Sequence, residues 1–199
     1  MSGHWEDMAA SIRPSLLDPA VELWRIHRHE RDALFFSASG LGRFDPAPGS
    51  GAEFGTCYLA VTELGAFLEV FGRTNPVPLH LVNERVITQV GLSRPLRVAD
   101  LTDRRLLGDV GAIPEVSVGR DYVDSQGLAT ALVDAGFDAV RYAARHDPAL
   151  RLHSVAVFSG AADALTVVKE QPIPDELVRG AESEFGLLVL PTGLPAGPS

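Results

Sequence analysis

With 199 residues, and 17 basic against 26 acidic side chains giving a formal charge of −9, the chain has the length of one domain and an overall acidic field. That field repels phosphate backbones and anionic lipid, which excludes nucleic acid and membrane surfaces as direct partners. A small anionic nucleotide can still bind where a local group of arginines overrides the global sign. Hydrophobic residues at 46% and charged residues at 22% place the chain among self-folding globular domains. Cys57 is the single cysteine, so no intramolecular disulfide can form and a reducing compartment is expected.

Residues 1–20 read as an N-terminal extension. Met1 to Ala10 has neither the basic start nor the apolar run of a signal peptide, and no stretch approaches the roughly 20 apolar residues of a spanning helix, so the expected location is the cytoplasm. Pro14 to Pro19 reads as an irregular lead-in. The spacing then predicts a strand over Val21 to His27, with Trp24 and Ile26 on one face and Arg25 on the other. From Glu30 to Gly55 the chain is rich in Gly, Pro, Ser and Asp and reads as a long loop, whose Phe35, Phe36, Phe44 and Phe54 argue that it packs against the body.

A strand is predicted over Thr56 to Ala60. Thr62 is placed to cap a helix that runs to about Phe71 and stops at Gly72, with Leu64, Phe67, Leu68 and Phe71 as its buried stripe and Glu69 off it. Further strands are expected at Arg85 to Val90 and Leu96 to Ala99, and a helix from about Asp121 to Ala135. Strands follow at Phe137 to Tyr142, Leu152 to Phe158, Ala164 to Lys169 and Gly186 to Leu190. Residues 21–190 form the expected domain and 191–199 a flexible tail. Strands outnumber helices and do not alternate with them, so the fold class is α+β with a mixed sheet rather than a doubly wound dinucleotide fold.

The common chemical signatures are missing. Gly40-x-Gly42 lacks the third glycine, preceding strand and following helix of a dinucleotide fingerprint, and there is no P-loop, no G-x-S-x-G elbow and no H-E-x-x-H. His27 and His29 would share a strand face, but no third ligand is identifiable, so no metal site is expected.

Leu23-Trp24-Arg25-Ile26-His27-Arg28, Gly42-Arg43-Phe44-Asp45-Pro46, Cys57-Tyr58-Leu59-Ala60 and Ala66-Phe67-Leu68-Glu69, in this order, resemble the RES family. Ala135 to Pro148 and Ser154-Val155-Ala156-Val157-Phe158 resemble that family's C-terminal half. The resemblance implies a fold similar to ADP-ribosylating toxins. It also implies an activity that degrades NAD⁺ at the nicotinamide–ribose bond, by hydrolysis or phosphorolysis, or else transfer of ADP-ribose to a protein, or binding without turnover. No cofactor is implied beyond NAD⁺ itself as substrate or ligand. An Xre-like antitoxin that plugs the NAD⁺ cleft is the implied partner, and a homo-oligomer is left open.

On that resemblance Glu69 and Arg25 are the candidate catalytic residues, with Arg25, Arg43, Tyr58 and Ala144 the candidate NAD⁺-binding set. Breaking the nicotinamide bond develops positive charge on the ribose, which a carboxylate such as Glu69 offsets. Otherwise Glu69 is a solvated helix residue. Arginine forks suit pyrophosphate or ribose, and the alternative for Arg25 and Arg43 is a surface ion pair with Glu22 or Asp45. Tyr58 can stack on nicotinamide, hydrogen-bond the ribose, or simply pack as a strand aromatic. Ala144 falls where the family's serine is expected, and alanine cannot hydrogen-bond a ligand, so turnover is in question and Ala144→Ser is expected to restore a contact. Ser125, Ser154 and Ser159 are stand-ins among which the sequence does not choose.

Overall fold

The structure is a computed structural model that describes residues 2–103 and 122–191. An eight-stranded sheet runs in the order β1-β6-β7-β8-β3-β2-β5-β9, formed by β1 (Ser15–Leu17), β2 (Leu23–Arg28), β3 (Thr56–Ala60), β5 (Arg85–Leu92), β6 (Leu96–Asp100), β7 (Ala139–Ala143), β8 (His153–Phe158) and β9 (Leu165–Pro172). The β6–β7 pair is parallel and the other neighbours are antiparallel, so the sheet is mixed, as the pattern of elements predicted. A small second sheet pairs β4 (Val77–Pro78) with β10 (Val189–Leu190). The main helices are α1 (Ser2–Ser11), α2 (Glu63–Phe71), α4 (Val123–Asp134) and α5 (Asp175–Phe185), with the short α3 (Leu79–Asn83) between β4 and β5.

Strand alternation sorts the side chains onto two faces. Leu23 of β2, Cys57 and Leu59 of β3 and Val155 and Val157 of β8 share one core with Leu17 of β1 and Leu165 of β9. Since β1 and β9 are opposite ends of the sheet, their meeting in one cluster requires the sheet to curl around that core. The other face carries two separate cores. Helices α1 and α4 cover β7 and β8 through Met8, Ile12, Leu128, Leu132, Val140 and Phe158, while α2 and α5 cover β2, β3 and β5 through Phe67, Phe71, Leu177, Ile26, Ala60 and Ile87.

Local rules explain α2. The Thr62 hydroxyl accepts the Gly65 N–H at 3.0 Å, as an N-cap must, and Ala66, Phe67, Leu68 and Phe71 are buried. The first twenty residues, read from the sequence as an extension with an irregular lead-in, supply α1 and β1, and Trp5 seats against Gly127 of α4. Helix α5 was not anticipated, although Pro174 before it, Asp175 and Glu176 in its first turn and left-handed Gly186 after it (φ +64°) mark both ends. Gly186 to Leu190 forms only the two-residue β10. The expected start of α4 at Asp121, and nearly all of the tail from 192, lie outside the described residues.

Two buried carboxylates shape the loops at the seam between the two cores. Asp45 accepts from the hydroxyls of Ser37, Ser39 and Tyr58 and from the Gly42 N–H, which folds the 39–45 segment around it. Gln126 of α4 ties the same segment down by donating to the carbonyls of Gly40 and Gly42 at 2.8 and 3.0 Å. Asp147 accepts the backbone N–H groups of Ala149, Arg151 and Leu152 and sets the turn after β7. Burial opposes its charge, but the Leu152, Ala149 and Arg151 amides and the Arg151 charge outweigh that and hold the carboxyl below its ordinary value.

Because its folded pKa is depressed, Asp147 contributes stability that is present above about pH 4 and lost as pH falls through the lower folded value. Asp147→Ala strands three amides and should lower unfolding stability by about 3 kcal/mol or more, measured by denaturant melts at neutral pH. The difference from the parent should narrow on acidification, and a constant difference would assign the carboxylate no such role.

Candidate functional site

On the helix-covered face, the seam between the two cores falls over β3, β8 and β7. The residues there are Tyr58, Ser154 and Tyr142, and Tyr142 and Ser154 are cross-strand partners. A helix cannot lie over this stripe without merging the two cores, so the gap stays open and polar groups line it. The chain has three tyrosines, Tyr58, Tyr122 and Tyr142, and all of them reach this gap.

Two adjoining cavities share Tyr58, Glu69 and Tyr142 as a common wall. The first, about 250 Å³, is mainly apolar, with Trp24, Ile26, Leu59, Ala60, Ala66 and Val70 around it. The second, about 160 Å³, is basic, lined by Arg43, Arg73, Arg145 and His146 together with Tyr122. Three arginines in one small cavity of a chain with net charge −9 give it the opposite sign to the protein as a whole.

Glu69 sits in the last turn of α2, exposed along the open cleft, and its Oε1 accepts the Ser154 hydroxyl at 2.9 Å. Ser154 is itself 1% exposed, so this contact fixes the carboxylate against the sheet. The helix dipole does not favour an acid at this end, and the Ser154 donation offsets that cost. Arg43 is 8% exposed, with its guanidinium carbon 5.4 Å from the Tyr142 ring centre and 6.0 Å from that of Tyr122. Burial and the Arg145 charge pull its pKa down, against the opposing influence of Tyr142 and Glu69.

Tyr122, at the start of α4, accepts from Arg73 Nη2 at 3.2 Å and from Arg145 Nη1 at 3.3 Å. Burial alone would raise its phenol, but the Arg73 hydrogen bond and the charges of Arg145, Arg73 and Arg43 bring it below the usual tyrosine value. Tyr142 is driven the other way, chiefly by complete burial and then by the Glu69 charge. The Tyr58 hydroxyl accepts the Phe44 N–H at 2.8 Å and donates to Asp45 at 2.9 Å. Its oxygen therefore holds the Arg43 segment, and its ring is left to wall the cavities. Burial, then the Asp45 charge, raises its pKa.

Of the residues singled out from the sequence, Glu69, Arg43 and Tyr58 converge on this cleft. Arg25 does not bring its guanidinium there. It stands in β2 at the edge of the first cavity, but strand alternation sends its side chain to the opposite face, where Nη1 donates to the carbonyls of Ala33 and Phe35 and to Cys57 Sγ, at 2.9 to 3.0 Å. Arg25 thus anchors the start of the long loop. Ala144 is 1% exposed, its N–H donates to the Leu152 carbonyl, and it lines neither of the two cavities. Among the serines left open, Ser154 is the one against Glu69, while Ser125 bonds the Tyr122 carbonyl and Ser159 the Gly55 amide.

Arg73, Tyr122, Arg145 and His146 were not singled out as site residues. Arg73 lies just past the Gly72 stop and Arg145-His146 just past β7, positions that read locally as surface charge. Only the packing of both segments at one seam makes them neighbours. No group of three or more potential metal ligands occurs among the described residues, and none of their helices is long and apolar enough to cross a membrane.

Comparison with known proteins agrees with the fold. No curated protein matches the chain. Among solved structures, the crystal structure of the M. tuberculosis MbcT–MbcA toxin–antitoxin complex is similar, with a TM-score of 0.68 at 16% identity, covering 91% of this chain and 97% of that one. The family model for the RES domain matches residues 22–179, from just before β2 into α5. With well over half of its length matched, the chain belongs to the RES domain family.

Proposed function

We propose that this protein is the toxin of a toxin–antitoxin pair and that it breaks the nicotinamide–ribose bond of NAD⁺. The observation that carries the reading is the position of Glu69, a carboxylate at the border between an apolar cavity and an arginine-lined one. NAD⁺ has the same polarity along its length. Its nicotinamide fits the apolar side against Trp24, Tyr58 and Val70, its pyrophosphate fits the forks of Arg43, Arg73 and Arg145, and the bond between ribose and nicotinamide then falls near Glu69.

The chemistry needs little else. When the C1′–N bond breaks, its electron pair neutralises the pyridinium ring, so nicotinamide leaves as a neutral molecule and requires no acid. The positive charge passes to the ribose ring, where a carboxylate held in place by Ser154 stabilises it more than it stabilises the ground state. Ala144 is buried, and the carboxylate–serine pair of Glu69 and Ser154 supports turnover without a hydroxyl at position 144. Cleavage of NAD⁺ would make the protein harmful to its own cell, which fits an antitoxin partner. The structural likeness to MbcT, solved with MbcA as a toxin–antitoxin complex, supports the same pairing.

Free nicotinamide released from NAD⁺ by the purified protein is the direct test, and absence of release would overturn the reading. Glu69→Gln should lower release at least about 100-fold, because the amide can still accept from Ser154 but no longer carries the charge. Its thermal melt should stay close to that of the parent. Arg73→Gln should raise the KM for NAD⁺ about tenfold, a loss of about 1.4 kcal/mol of phosphate binding, with little change in kcat. Ala144→Ser, in contrast, should change neither NAD⁺ affinity nor release, and a clear gain in either would return residue 144 to the site.

A further inference from the structure

The cleavage reading leaves one proton without a destination. If water is the acceptor, its oxygen bonds to C1′ as the C1′–N bond breaks, and the products are nicotinamide, ADP-ribose and one proton. Among the described residues that line the two cavities, the arginines are already protonated and the tyrosines are weak bases held by burial or filled by arginine donors. Glu69 has to keep its charge through the transition state. His146 remains.

Resting on that reading, we propose that His146 accepts the proton of the attacking water, through its Nε2. The hydrogen-bond geometry fixes the form of the ring. Arg73 Nε, which can only donate, points at His146 Nε2 at 3.4 Å, so that nitrogen carries a lone pair and the ring proton resides on Nδ1. At 3.4 Å the contact is long, and an arginine recruited by a substrate phosphate releases the lone pair to the cavity that His146 shares with Glu69.

The ring is also held in place. A Cβ built on Gly72 would lie 2.6 Å from the His146 Cβ, so the turn after β7 sits directly on the end of α2, and the three amides on Asp147 fix the next residue of that turn. The charges facing the imidazole are Arg73 from beyond α2, Arg145 from its own turn and Arg43 from the long loop, with Glu69 and the Tyr122 phenol completing the cavity. Burial first, then Arg73, Arg145 and Arg43, lower its pKa from the ordinary histidine value. The neutral form therefore prevails at neutral pH, and its capacity as a base is lost only as pH falls through that lowered value.

The test is nicotinamide release by the parent, His146→Gln and His146→Asn across the acid-to-neutral range, with and without azide as acceptor. Azide bonds to C1′ without giving up a proton, so it bypasses any base. Both variants should lose about 100-fold in kcat with water, keep KM within about twofold, and lose the acid limb of the parent's profile. With azide they should form the glycosyl azide at the parent's rate, which also shows that their site is folded. Variants that keep the parent's kcat and acid limb would overturn the assignment, and so would an equal loss with azide, which would mark a structural role. A parent that releases no nicotinamide removes the NAD⁺ reading and this inference with it, whereas an active parent matched by its variants removes the inference alone.

Discussion

The site depends on two hydrophobic cores having to share one face of a single curled sheet. Helices α1 and α4 dry one half of that face and α2 and α5 the other, and the three strands between them carry Tyr58, Ser154 and Tyr142 toward the gap. Large apolar residues are buried in each core, Phe44 and Phe158 in one and Phe67 and Phe71 in the other. The opening is thus a product of the same burial that stabilises the fold.

Electrostatics at the seam are set by loops rather than by the sheet. Arg43, Arg73 and Arg145 come from three separate connections, each fixed by a local device: Asp45 and Gln126 for the first, the end of α2 at Gly72 for the second, and Asp147 for the third. Tyr122 shields them from one another by accepting from two and stacking beneath the guanidiniums of Arg43 and Arg145. A cavity of this sign persists in an acidic protein because short contacts outweigh a screened distant field.

The opposite sheet face has a different task. Arg25 and His27 reach into it, and both are consumed by structure: Arg25 by the Ala33 and Phe35 carbonyls and His27 by Thr88 and the Arg28 carbonyl. Arg25 therefore supports the site at a distance, by holding the start of the loop that later delivers Arg43. The identity of an arginine in a strand does not reveal which of these tasks it performs. The parity of the strand does, once it is known which face meets the cleft.

The sequence by itself determined the elements whose signals are local. Alternation in Leu23–Arg28 placed Trp24 and Ile26 together, Thr62 and Gly72 bounded α2, and Glu69 was correctly set off the buried stripe. Its ordered short motifs also identified the RES family, and the order of its predicted elements identified an α+β domain. Tertiary structure alone decided the rest. The face of the sheet that opens to solvent depends on where four helices settle, which turned the Arg25 guanidinium to the opposite face although Arg25 and Glu69 both line the first cavity. Ser154 joined Glu69 across 85 positions of chain, and Arg73, Tyr122, Arg145 and His146 met from segments that look like ordinary surface when read singly. Their proximity is long-range packing, and helical and strand periods carry no information about it beyond their own few residues.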